Sequence, residues 1–191
     1  MGAIPPGYPA TPQGKPDQKE AVHTKARSAP EKLRLRNSVT VSDAQTRIYL
    51  DVCTLCRPYD DQNLMRIRLA TDAFYLILQH VQNGRYTMIV SPVHFREVAA
   101  IEETRERAEV TALLHRYGTS PSSDLSSMRK RAEALHARRF GVADAAHVAF
   151  AEATADVFIT CDDRLLRQCR RASVRMRAMS PVDFCLAEDL R

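Results

Sequence analysis

The sequence predicts an α/β fold, a three-layer α/β/α sandwich around a central, mostly parallel sheet. Two apolar runs that each end on acids, and a regular alternation of strand-like and helix-like segments from Ala44 onward, carry this expectation. Ile48-Tyr49-Leu50 stops at Asp51, and Val157-Phe158-Ile159-Thr160 is followed by Cys161-Asp162-Asp163. Short runs apolar at every position read as strands covered on both faces, as in parallel sheets. In an open α/β sheet, ligands collect outside the carboxyl ends of the strands. If the two runs are parallel neighbours, Asp51 and Asp162 enter one crevice. Carboxylates crowded in this way repel unless a cation lies between them, so the pattern suggests a divalent metal site.

The elements follow in order. After the strand Ile48–Asp51, the turn Arg57-Pro58-Tyr59-Asp60-Asp61 supplies acids suited to cap a helix over about 62–82, which Asn83-Gly84 stops. That helix is apolar on more than one side, so it is expected to be central or shared with a partner. A strand at Tyr86–Val90 runs into Ser91-Pro92, an N-cap followed by proline at the first helical position. Helices are expected at about 92–100 and 102–116, then a linker over Gly118–Ser123. Further helices are expected at about 125–139, broken by Gly141, and at 143–153. The strand Val157–Thr160 then leads to a basic helix at 164–171 that Asp162-Asp163 cap. A strand at Val174–Met176 and a C-terminal turn from Ser180-Pro181 complete the sandwich.

Composition sets the limits. The 191 residues are 45% apolar, enough for the core of one domain with some length to spare. No stretch approaches the roughly 18 apolar residues of a membrane helix. No apolar signal segment is visible at the front, so a cytoplasmic location is expected. Five cysteines without framework spacing suit reduced thiols. Residues 1–44 hold six of the ten prolines and no sustained apolar period, and read as a disordered tail before a domain over residues 45–191. The tail carries seven Lys and Arg against four Asp and Glu, and the rest twenty-one against nineteen. The basic balance is thus partly a property of the tail, and argues only weakly for a nucleic-acid-binding fold.

Two further acids stand in unusual company. Glu97 follows a strand within Val93-His94-Phe95-Arg96-Glu97-Val98, and Asp144 opens an alanine-rich helix within Gly141-Val142-Ala143-Asp144-Ala145-Ala146-His147. Taken singly, Glu97 could be a solvated helix charge and Asp144 a helix-start acid favoured by the dipole. Together, strand–Asp, helix–Glu, Asp-Ala-x-His-x-Ala and strand–Thr-x-Asp resemble the PIN-domain nucleases over about residues 46–187. The resemblance is greatest to their toxin-like branch, with Leu50-Asp51-Val52-Cys53 as first motif and Ala155-Asp156-Val157-Phe158-Ile159-Thr160 before Asp162-Asp163-Arg164 as last. It departs at the linker 118–123, where a clearer strand would be expected.

The resemblance implies an acidic cluster of Asp51, Glu97, Asp144 and Asp162, with Asp163, Thr160 and Cys53 as auxiliary residues. It implies an endoribonuclease, with RNA as substrate and a small protein antitoxin as partner; a homodimer is also compatible. An all-carboxylate pocket suits Mg²⁺ or Mn²⁺. Asp51, Asp144 and Asp162 are the expected metal ligands, and Glu97 could hold a water or act as general base. Arg164–Arg177 contains six arginines and no acid. It is either a solvated face or an RNA-binding patch of Arg164, Arg167, Arg170 and Arg171, with Arg129-Lys130-Arg131 the next candidate. Cys53-x-x-Cys56 has zinc-like spacing but no second pair, and His147 reads as a core histidine or one that orients a ligand. Haloacid-dehalogenase chemistry would need an acid where Cys53 stands, and there is no phosphate-binding glycine loop. The non-enzymatic rival, an RNA-binding or scaffolding module of the same fold, would be marked by loss of one of the four acids, and none is lost.

Overall fold

The computed structural model describes residues 45–122 and 124–191; the tail expected over residues 1–44 lies outside them. Five strands, β1 (Thr46–Leu50), β2 (Tyr86–Ile89), β3 (Gly118–Thr119), β4 (Val157–Ile159) and β5 (Arg177–Met179), form one sheet. All neighbours are parallel, in the order β3-β2-β1-β4-β5. β1 is therefore flanked by β2 and β4, with Leu50 in register with Ile159. The chain runs outward from β1 in opposite directions on its two sides, so the switch of strand order falls between β1 and β4. The crevice anticipated for Asp51 and Asp162 lies at this switch point.

Both faces of the sheet are covered because the strands are apolar at successive positions. On one face Ile48, Leu50, Met88, Val157 and Ile159 pack against Phe74, Ile77 and Val81 of α2 (Met65–Gln82), Val110 and Leu114 of α4 (Thr104–Tyr117), and Phe184 of α8 (Pro181–Ala187). On the other, Tyr49, Ile89 and Phe158 pack against Leu135 of α5 (Leu125–Ala137), Val148 and Ala149 of α6 (Val142–Thr154), and Leu165 and Cys169 of α7 (Asp163–Ala172). Burying one such side chain contributes about 1.5–3 kcal/mol. Two short helices, α1 (Val52–Leu55) and α3 (Pro92–Ala99), follow β1 and β2 directly. Among the described residues no helix is long and apolar enough to cross a membrane.

Several local expectations need correction. The last strand lies at Arg177–Met179 rather than Val174–Met176, because Ser173 adopts a left-handed conformation (φ 51°) and the three residues after it carry the chain to the edge of β4. The C-terminal turn is the helix α8, capped by the Ser180 side chain, which accepts from Asp183 N. The 118–123 linker contains the missing strand: β3 is only two residues long and pairs with β2. Gly118 permits this pairing, since a Cβ there would collide with the Leu114 carbonyl and the Val90 side chain. The turn acids do not cap α2, whose N-cap is Leu64; Asp61 Oδ1 instead accepts from Asn63 N (3.0 Å) ahead of the helix. α2 is not central either. It buries one face, while Leu64, Met65, Leu69 and Tyr75 are each more than half exposed.

Candidate metal centre

Four separate segments bring the predicted acids to the carboxyl end of the sheet. Asp51 leaves β1 and starts α1; its backbone N donates to Ile159 O (2.9 Å), which fixes it beside β4. The residue is buried, 7% exposed. Oδ2 accepts from Thr160 Oγ1 (2.7 Å) and from Cys53 Sγ (3.1 Å). Thr160, fully buried, uses its hydroxyl twice, since its oxygen also accepts from Asp162 N (3.1 Å). A hydrogen bond with Cys161, burial and the Asp51 charge hold the Cys53 thiol well above its usual range, so it remains a donor. Thr160 and Cys53 thus both orient the Asp51 carboxylate.

Glu97, on α3, is reached by a chain of polar groups through the core. His147 Nε2 lies 2.8 Å from Glu97 Oε2 and 3.9 Å from Asp51 Oδ1, while Nδ1 lies 2.7 Å from the Tyr49 hydroxyl. Tyr49 in turn lies 2.6 Å from Ser91 Oγ. Burial pushes the Tyr49 phenol well above its ordinary pKa, so it stays protonated and can donate to the imidazole. The hydrogen bond from His147 holds Glu97 below the usual carboxylate range. His94 anchors the same region: its Nδ1 accepts from Ser91 N (3.0 Å), so Nε2 carries the hydrogen given to Leu50 O (2.8 Å). Burial, with His147 nearby, pushes His94 down to about 3, and its ring is neutral. The end of β1 and the start of α3 are locked together just behind Asp51.

Asp51, Glu97 and His147 each offer a ligand atom within 4.8 Å of the other two. Asp144 and Asp162 stand outside this compact set. Burial, and then the charges of Asp51, Asp162 and Glu97, raise Asp144 above the ordinary carboxylate range. Its carboxylate folds back over Gly141, where an added Cβ would lie 2.7 Å from Oδ2. Asp162 Oδ1 caps α7, accepting from Arg164 N (2.7 Å) and Leu165 N (3.1 Å). Asp163 is turned outward to Arg66 (2.9 Å), an exposed pair. Among the described residues, none of Asp51, Glu97, Asp144 and Asp162 pairs with a lysine or arginine; the basic side chain within reach is the His147 imidazole. A set of carboxylate oxygens, none paired with a lysine or arginine among the described residues, fits Mg²⁺ or Mn²⁺.

The four basic-patch candidates divide. Arg164 and Arg171 line one cavity between α7 and the α5–α6 loop, whereas Arg167 and Arg170 do not. Of the next candidates, Arg129 pairs with Glu133 (3.0 Å) and Arg131 with Glu152 (2.6 Å). The part that Tyr49, Ser91 and His94 play in this polar chain was not foreseen from the sequence. The signal available was a tyrosine at the middle of a strand apolar on both faces, where a phenol needs a buried partner.

No protein-family model and no curated protein sequence matches the chain. Among solved structures, the crystal structure of FitAcB from Neisseria gonorrhoeae is similar to it, with a TM-score of 0.42 and 14% identity over 70% of this chain and 97% of that one.

Proposed function

We propose that this chain is a metal-dependent endoribonuclease of the PIN type that hydrolyses RNA phosphodiester bonds and serves as the toxin of a toxin–antitoxin pair. One observation carries the reading: Asp51 and Glu97 offer oxygens within 4.8 Å of each other at the carboxyl end of a parallel sheet, Asp144 feels the charges of both and of Asp162, and among the described residues no lysine or arginine pairs with the four. Folding tolerates such crowding at a cost, which a bound cation removes.

Asp51, Asp144 and Asp162 would hold Mg²⁺ or Mn²⁺, with His147 and Glu97 on the neighbouring side. The ion, when bound, would lower the pKa of a water and neutralise charge developing on the phosphodiester. Thr160 and Cys53 keep Asp51 oriented, so its free oxygen faces the cluster. Glu97, held ionised by His147, can accept a proton from an attacking water or from a water ligand. Tyr49 and Ser91 fix the imidazole so that its Nε2 faces Glu97. A small antitoxin with a basic side chain would satisfy the same carboxylates and block them.

Purified protein incubated with single-stranded and structured RNA should cut internally in Mn²⁺ or Mg²⁺ and stop in chelator. Undiminished cleavage in excess chelator would remove the metal from the mechanism. In cells, expression of the wild type, but not of Asp51→Asn, should arrest growth; equal arrest by both would separate toxicity from the carboxylates.

A further inference from the structure

Beside the carboxylates the surface changes sign. A cavity of about 260 Å³ is lined by Arg138, Arg139, Phe140, Arg164, Gln168 and Arg171 with Ala172, with no acid among the described residues that line it. That volume equals the liquid share of roughly eight waters, room for a phosphate and part of its sugar. Two chain segments far apart in sequence form it, and they are tied in both directions. Gln168 Nε2 donates to Arg139 O (2.9 Å), and the Arg138 guanidinium donates to Ala172 O (3.2 Å) and Arg171 O (3.3 Å) at the end of α7. Arg138 is thereby occupied with a helix C-terminus, where a cation is favoured. Arg139, Arg164 and Arg171 are exposed and have no carboxylate partner among the described residues. Arg139 sits at φ 70°, a left-handed position that asparagine or glycine would fill with less strain. Both walls run straight into the acidic cluster: Gly141, two residues after Arg139, underlies the Asp144 carboxylate, and Arg164 N donates to Asp162 Oδ1.

We infer that Arg139, Arg164 and Arg171 form a phosphate-binding pocket that seats the RNA backbone next to the scissile phosphate, on the α7 side of the carboxylates. The inference rests on the nuclease reading above and gives the bound strand a path from the carboxylates along α7. Guanidinium forks present paired donors to phosphate oxygens. Convergence, rather than net charge, defines the pocket, so Arg167 and Arg170 on the same helix lie outside it.

The test uses the full chain carrying Asp51→Asn, with a fluorescent single-stranded oligoribonucleotide titrated between 50 and 200 mM salt. The Arg139→Gln/Arg164→Gln/Arg171→Gln triple variant should bind at least tenfold more weakly at the lower salt. Its log Kd against log salt should flatten by ~0.7, the share of the one phosphate that the pocket seats. Arg167→Gln/Arg170→Gln should retain affinity and slope. Arg164→Gln alone, which spares the loop backbone, should weaken binding at the lower salt in the same direction, by less than the triple, and guards against misfolding of the triple. Unchanged binding by the triple variant, or an equal loss in the Arg167/Arg170 pair, overturns the pocket. If that result accompanies chelator-sensitive RNA cleavage by the wild type, the nuclease reading stands alone. Absence of both RNA binding and cleavage removes the pocket and the nuclease together.

Discussion

Replacing Asp51 by asparagine separates the charge of this side chain from its hydrogen bonds. Asp51 and Glu97 present oxygens within 4.8 Å of each other. Two unit charges at that distance repel by about 0.9 kcal/mol in water and about 3.5 kcal/mol at an effective dielectric of 20. The Glu97 side chain is about one-third exposed and hydrogen-bonded to His147, both of which weaken the repulsion. A gain on the order of 1 kcal/mol is expected for Asp51→Asn without metal, equivalent to ~2–4 °C in Tm. Asparagine can keep its oxygen toward Thr160 Oγ1 and turn its amide toward Glu97, so no buried donor is stranded. Asp51→Ala removes the charge as well, but takes the acceptor from the buried Thr160 hydroxyl, at a cost of ~1–3 kcal/mol, while the Cys53 thiol keeps Thr160 Oγ1 (3.2 Å) as a partner. The expected order of metal-free stability is Asn at or above wild type, then Ala clearly below. Denaturant unfolding in chelator measures it. An asparagine variant more than ~1 kcal/mol less stable than wild type would show that the Asp51 charge is stabilising in the apo protein, and the crowding account would fail.

Other outcomes follow from the same contacts. Gly141→Ala has an ordinary backbone (φ −57°) and should fold with near-unchanged Tm, yet displace the Asp144 carboxylate and weaken Mn²⁺ binding by calorimetry; unchanged affinity would show that Asp144 takes no part. Tyr49→Phe leaves His147 Nδ1 without its donor and should lower Tm by a few degrees and kcat for RNA more than KM. An effect confined to KM would contradict a role in orienting Glu97. His94 titrates at about 3 in the fold against ~6.5 unfolded, so the unfolded chain binds more protons between these values. Stability present above pH ~6.5 is therefore lost as pH falls toward 3, by up to ~1.4 kcal/mol per unit. His94→Gln, which can still donate to Leu50 O, should show a shallower slope by close to one proton, and identical slopes would refute the assignment.

Much of this arrangement was written in local sequence. Ile48-Tyr49-Leu50-Asp51 and Val157-Phe158-Ile159 identified two central strands because burial on both faces demands apolar residues at every position, and Ser91-Pro92 marked the start of α3. β3 was hidden because two residues beginning with glycine carry no period; it exists through pairing with β2 alone. α8 was hidden by its length, and the shift of β5 by a left-handed serine with no sequence signature. The acids were legible as residues, but most of their relations were not. Asp162 was legible as the cap of α7, but that Asp163 turns to Arg66, and that His147 bridges Glu97 and Tyr49, depend on side-chain directions set by tertiary packing. The division of the arginines is of the same kind, since Arg138 and Arg139 come from a loop that the helix pattern of α7 could not announce.

Divalent binding to the chelator-stripped protein is the most direct test of the central claim. Titration of Mn²⁺ into the wild type, followed by calorimetry and by the electron spin signal of free Mn²⁺, should show stoichiometric high-affinity uptake with Mg²⁺ competing at higher concentration. Asp51→Asn should weaken that uptake at least tenfold while the folded fraction stays the same. Equal Mn²⁺ uptake by the wild type and Asp51→Asn, or none by either, would contradict a metal centre built on these carboxylates.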